Sequence, residues 1–238
     1  GRGMSNYKLR TKVNKGAEVR FISHLDFMNT LTRALRRAKI PIAFSQGYNP
    51  RPQISFGSAL AVSLTSDSEY IDFELTKRLD PAEFRIRLND ELPPGIKIEK
   101  AMNIPVKADS LMSIINAGSY VIRLEFAEKL TTEELETKVK EFLEQDEIKI
   151  MRKRRNKSDR ELDLRPMIFS LDVIEVQDKI GTISMLVQTG SAGNVRPQEV
   201  IRALAQQFEV IKAPRMINIH RSGLYIKKRD ALFTPFEV

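Results

Sequence analysis

From Tyr7 to Ile104 the spacing of apolar residues switches between the strand and helix periods in an order that few folds accept. Tyr7 to Val13 alternates and predicts a strand. The next stretch, R-F-I-S-H-L-D-F-M-N-T-L-T-R-A-L-R-R-A-K, predicts a helix from about His24 to Lys39. Ser23 stands as its N-cap with Asp26 at capping-box spacing, and Leu25, Met28, Leu31, Leu35 and Ala38 form its apolar stripe. Pro41 ends it. Ile42 to Phe44 and Ile54 to Leu64 predict extended chain around a loop, Gln46 to Pro52. Glu69 to Leu75 alternates cleanly, with Ile71, Phe73 and Leu75 on one face. Asp80 caps a second helix with Pro81 at its first position, and Phe84, Ile86, Leu88 and Leu92 supply its apolar side. Pro93, Pro94 and Gly95 stop it before a closing strand, Ile96 to Ile104. Strand, helix, two strands, helix, strand is the order of the ferredoxin-like split βαβ fold.

The second half repeats the order approximately. Tyr120 to Phe126 predicts a strand, Thr131 with Glu134 opens a helix by a capping box, and Ile148 to Met151 is extended. Met167 to Val176 and Ile180 to Gln188 predict two more strands, Pro197 opens a helix, and Arg215 to Lys227 closes the chain's regular structure. The fold class read from this pattern is α+β: two tandem ferredoxin-like domains, residues 4–105 and 119–238, joined by a linker at 106–118, each an antiparallel sheet with its helices on one face. The opening G-R-G reads as an expression scar, with Met4 as the natural start.

Charge decides which partners to consider. Lys and Arg outnumber Asp and Glu by 39 to 31, which favours anionic partners, nucleic acid first. The absence of cysteine excludes disulfides, thiolate zinc sites, cysteine nucleophiles and an iron–sulfur cluster held by this stretch. It fits a reducing cytoplasm. With only His24 and His220, a histidine-rich metal site is not expected, and no metal or cofactor is read from the sequence. No apolar run is long enough for a membrane span. There is no P-loop and no dinucleotide fingerprint.

Four places carry chemistry-bearing residues. His24 falls at the positive end of a helix, which favours neutral imidazole. Near Arg20, Arg33, Ser45 and Arg51 it has the chemistry of a general acid or base on a ribose hydroxyl or phosphate, and equally that of a helix-start residue bonding the adjoining loop. The exposed face of the same helix carries Arg33, Arg36 and Arg37 for phosphate. The loop S-Q-G-Y-N-P-R-P has Gly47 for close approach, Tyr48 to stack on a base, Asn49 to read its edge and Arg51 to grip phosphate. The basic run from Arg152 to Arg160 adds Arg152, Arg154 and Arg155 on an exposed hairpin or loop, and D-L-R-P downstream places Asp163 where it pairs with Arg165. The loop G-S-A-G-N-V-R-P before the last helix is a weak anion-binding signal. H-L-D at His24 to Asp26 shares its last two letters with the R-L-D of pseudouridine synthases, but Asp26 is better used as the capping carboxylate.

F-I-S-H-L-D-F-M, R-A-L-R-R-A, S-Q-G-Y-N-P-R-P and D-L-R-P together resemble the DUF2344 family, also called radical SAM-linked proteins, over nearly the whole chain from Met4. The family's usual loop reads S-Q-G-F-N-P-H-P, so Tyr48 and Arg51 are departures. The resemblance implies a radical SAM protein as partner, which would hold the cluster, and an RNA context. The expected function is therefore an RNA-binding accessory protein of a radical SAM enzyme, without catalysis of its own. Two alternatives stand beside it: a metal-independent endoribonuclease using His24, by analogy with the tandem ferredoxin-like enzymes that process CRISPR transcripts, and a protein-binding scaffold for the partner.

Overall fold

The structure is a computed structural model that describes residues 4–211 and 213–238; the presumed scar at 1–3 lies outside them. The fold is mixed α+β with an antiparallel-dominated sheet. The chain divides into two compact units, residues 1–115 with 223–238, and residues 116–222. The division at 105 and 119 read from the sequence therefore needs correcting: the last sixteen residues belong with the first unit, because the final long strand passes from one unit into the other.

In the first unit the elements run β1 (Tyr7–Lys15), α1 (His24–Arg37), β2 (Ile54–Phe56), β3 (Thr65–Leu75), α2 (Pro81–Asn89), β4 (Ile96–Ile104) and a single turn α3 (Leu111–Ile114). β1 lies between β4 and β3, antiparallel to both, and β2 takes the other edge of β3 at Ile71–Phe73. The α1 stripe differs from the expected one. Leu25 is 66% exposed, and Phe27, Leu31, Ala34 and Leu35 are buried. These are the positions that a helix starting at His24 turns toward β1 and β3, where Leu9, Val13, Ile71, Phe73 and Leu75 meet Phe84 and Leu88 of α2 in one core. Fixed caps explain where the helices begin: Ser23 Oγ accepts from Asp26 N–H, and Asp80 Oδ1 from Ala82 and Glu83 N–H. The extended region expected at 54–64 is a strand only to Phe56, and Ile42 and Phe44 make isolated bridges to Leu75 and Pro52 rather than a strand.

The opposite face of β1 and β3 carries a buried ion pair. Arg10 and Asp72 face each other in register and form two bonds of 3.0 Å, with Lys8 at 3.9 Å from the same carboxylate. Arg10 also donates to Pro235 O and Asp109 O, which ties the presumed linker and the C-terminal tail onto this face. Tyr70 packs there against Phe236, and burial, ahead of nearby Tyr225 and acidic groups, pushes its hydroxyl up to about 12.

The second unit runs β5 (Ala117–Glu125), α4 (Thr132–Leu143), β6 (Lys149–Arg154), β7 (Lys157–Asp163), β8 (Ile168–Gln177), β9 (Ile180–Gln188), α5 (Pro197–Gln207) and the beginning of β10 (Arg215–Lys228). Its strands lie in the order β10-β5-β9-β8. The Thr131–Glu134 capping box forms in both directions. Gly181 of β9 is where the Phe126 ring crosses the sheet; a Cβ there would lie 2.6 Å from the ring. The basic run is an ordered antiparallel hairpin, β6 on β7, in a small sheet of its own. The short strand β11 (Ala231–Phe233) pairs with the end of β10 in the first unit.

Candidate nucleic-acid interface

His24 is half-buried, with its ring edge-on to Phe56 at 4.6 Å. With Lys15, Phe27, Ser58, Leu60 and Glu69 it lines a cavity of about 10 Å³, the room of one water molecule. Lys15 (2% exposed) reaches Ile22 O at 3.4 Å and sits over the Phe27 ring; Glu69 (4% exposed) accepts from Ser66 Oγ at 2.6 Å. Burial first and the Lys15 ammonium second hold the His24 pKa below its usual range, against the pull of Glu69. The imidazole is therefore neutral at physiological pH, for reasons other than the helix end alone. A neutral imidazole between an ammonium and a carboxylate has the chemistry to exchange protons with a water, but nothing as large as a phosphodiester enters this space.

The arginines expected around His24 are elsewhere. Arg33 lies nine residues along α1, roughly 13 Å further up the axis and on the opposite side of the helix. Neither it nor Arg20, Ser45 or Arg51 lines the His24 cavity. Arg20 stacks on the ring of Phe21 at 4.6 Å. Asp26 corrects a second expectation: its N–H is capped by Ser23, but the box is not closed by its carboxylate, which is exposed.

The remaining candidates fall into two classes. Arg37 is bound to the Glu91 carboxylate at 2.9 Å and to its carbonyl at 2.7 Å. Arg152 binds both oxygens of Glu199, at 2.9 and 2.7 Å, and Asn194 O at 2.6 Å. Arg165 donates to Leu143 O and Ile168 O, while Asp163 accepts from the backbone N–H of Ile148 and Arg165. The expected Asp163–Arg165 side-chain pair is thus replaced by two separate backbone clasps. These three arginines hold structure. Arg33 and Arg36 are exposed on α1, and Arg154 and Arg155 on the hairpin, where Arg154 donates to Ser158 O.

The Ser45 to Arg51 loop is closed at its base. Ser45 N–H donates to Arg51 O, Arg51 N–H to Ser45 Oγ, and Phe44 bridges Pro52. Gly47 has φ +125°, the region that a side chain disfavours, and it turns the chain at the tip. Tyr48 next to it is 99% exposed, with Asn49 and Arg51 exposed beside it. Ser45 is therefore a clasp of the loop rather than a surface contact.

Among the described residues no group of His, Asp or Glu is placed to hold a metal ion. No helix among them is long and apolar enough to cross a membrane.

Residues 8–197 match the family described as an uncharacterized protein conserved in bacteria, DUF2344. The chain belongs to the DUF2344 family. No curated protein matches it in sequence. Solved structures similar to this DUF2344 protein include a Cbf5-Nop10-Gar1 complex, at 12% identity and TM-score 0.56, over 96% of this chain and 52% of the other. Another is an H/ACA RNP bound to a substrate RNA containing 2'-deoxyuridine, at 11% identity and TM-score 0.50, over 95% and 50%. The DUF2344 chain thus spans about half the length of these matches, and at such identity the likeness is one of fold.

Sequence reading missed Lys15 and Glu69. The signal for Lys15 was present: it continues the i, i+2 series Leu9, Thr11, Val13 on the inward face of β1. Glu69 gave none, because β3 is buried on both faces and alternation there no longer separates core from solvent.

Proposed function

We propose that this DUF2344 protein is a cytoplasmic RNA-binding accessory subunit of a radical SAM enzyme, built from two ferredoxin-like units. The strand orders β4-β1-β3-β2 and β10-β5-β9-β8 support the reading of the units; the first is threaded strand–helix–strand–strand–helix–strand, and the second follows the same path with the β6–β7 hairpin inserted after α4. The family resemblance is what suggests the partner, and a chain without cysteine leaves the cluster to that partner. The net charge of +8 and a fold shared with a chain of an H/ACA RNP bound to a substrate RNA support RNA as the ligand.

The observation that carries the reading is the loop tip. A tyrosine ring almost wholly in water, raised on a hairpin pinned by three contacts and flanked by an amide and a guanidinium, is costly to leave exposed and well formed for stacking on an unpaired base. Arg33 and Arg36 add phosphate contacts from α1. Fluorescence anisotropy with a labelled single-stranded RNA tests this. Tyr48→Ala removes one stacked base, about 1–3 kcal/mol, and lowers affinity roughly tenfold with the salt slope unchanged. Arg33→Gln with Arg36→Gln flattens that slope. An unchanged affinity and salt slope in both variants, or no binding by the unaltered protein, contradicts the reading.

A further inference from the structure

The second unit contains a cleft of about 770 Å³ between the β6–β7 hairpin and α5, within the ~300–1,000 Å³ range of small-ligand sites. Five cationic side chains line it: Lys149 and Arg152, and with them Lys153 from β6, Arg196 at the N-cap of α5 and Arg202 from its body, the last three all exposed. The carboxylates in the same lining are already paired: Glu199 accepts from Nε and Nη2 of Arg152, and Glu161 lies 3.7 Å from Lys149. Among the described residues Lys153, Arg196 and Arg202 enter no salt bridge. The cleft is thus a concave surface with a local excess of positive charge, fixed in shape by the Arg152–Glu199 strut from hairpin to helix. Met151, 60% exposed, gives the wall an apolar, adaptable side chain.

We propose that this cleft holds the phosphodiester backbone of single-stranded RNA, with Lys153, Arg196 and Arg202 on phosphate oxygens, a nucleobase against Met151, and Arg152 as the positioning residue. The cleft lacks an aromatic platform and offers guanidinium and ammonium groups, so it grips backbone and leaves base selection to other surfaces. It has the dimensions of a short stretch of one strand. The inference rests on the RNA-binding reading above and assigns it a second site, on the other unit.

The test is oligouridylate binding by anisotropy across a salt series, with pyrophosphate as a competing small polyphosphate. Lys153→Gln, Arg196→Gln and Arg202→Gln together are expected to cut affinity more than tenfold. They should also reduce the salt slope by about 2, three contacts at ~0.7 each. Met151→Glu, which puts a carboxylate on the cleft wall, is expected to weaken binding likewise, with the melting temperature of the full chain unchanged in both variants. Affinity and slope equal to those of the unaltered protein overturn the cleft while leaving the RNA reading in place if Tyr48→Ala still weakens binding. A loss confined to pyrophosphate makes the cleft a small-polyphosphate site and overturns the RNA assignment. No oligouridylate binding by the unaltered protein overturns the broader reading and this inference together.

Discussion

His24 shows burial adding to sequence context at a single residue. The helix start favours a neutral ring, and desolvation and Lys15 favour it further. The unfolded chain takes up a proton near pH 6.5, whereas the folded chain resists it to lower pH. Between those values the unfolded state holds more protons, so stability falls as pH falls. A thermal melt at pH 7.5 and at pH 5.5 should therefore show a larger loss for the unaltered protein than for His24→Gln; equal losses contradict this account of the cavity. Residue roles were the least legible part of the sequence. Arg37 and Arg152 read as free cations because the groups that claim them, Glu91 and Glu199, are distant along the chain. Tyr48 was legible, because a glycine–proline loop with an aromatic inside it has no regular structure in which to hide the ring.

At the scale of elements, local signals served well where local chemistry decides. The Asp80 cap with Pro81, the Thr131–Glu134 box and the closing strand Ile96–Ile104 all lie where the sequence places them. The short β2 was not legible, since its end depends on where the chain leaves the edge of β3. The Arg152–Glu199 pair ties the β6–β7 hairpin to α5. Glu199 is buried, which alone would raise its pKa, yet hydrogen bonds from Arg152 and from the Arg196 backbone hold it below the usual carboxylate range. Arg152→Ala leaves that carboxylate without its partner, and a loss of about 2 kcal/mol is expected from charge-assisted hydrogen bonds of this kind. A denaturant midpoint shifted by no more than experimental error would show that the hairpin is held by other contacts.

On the scale of the whole molecule, the sequence pattern conveyed the α+β class but not the path of the ends. Nothing local marks β10 as a strand shared between units, or Gly223–Val238 as part of the first. The link is the Arg10 guanidinium, which binds Asp72 in the sheet and the Pro235 carbonyl in the tail. Asp72→Ala strands Arg10 and Lys8 without their carboxylate, and removing one partner of such a buried pair costs about 3–5 kcal/mol. Calorimetry of the full chain should show the unfolding of the first unit at markedly lower temperature; an unshifted transition would mean that the pair contributes little.

RNA binding at these exposed surfaces is read out by ultraviolet crosslinking of single-stranded RNA to the full protein, with adducts mapped by peptide mass spectrometry. Adducts are predicted on the loop around Tyr48 and on peptides lining the cleft between the hairpin and the last helix. Adducts confined to other surfaces, or none at all, would contradict it.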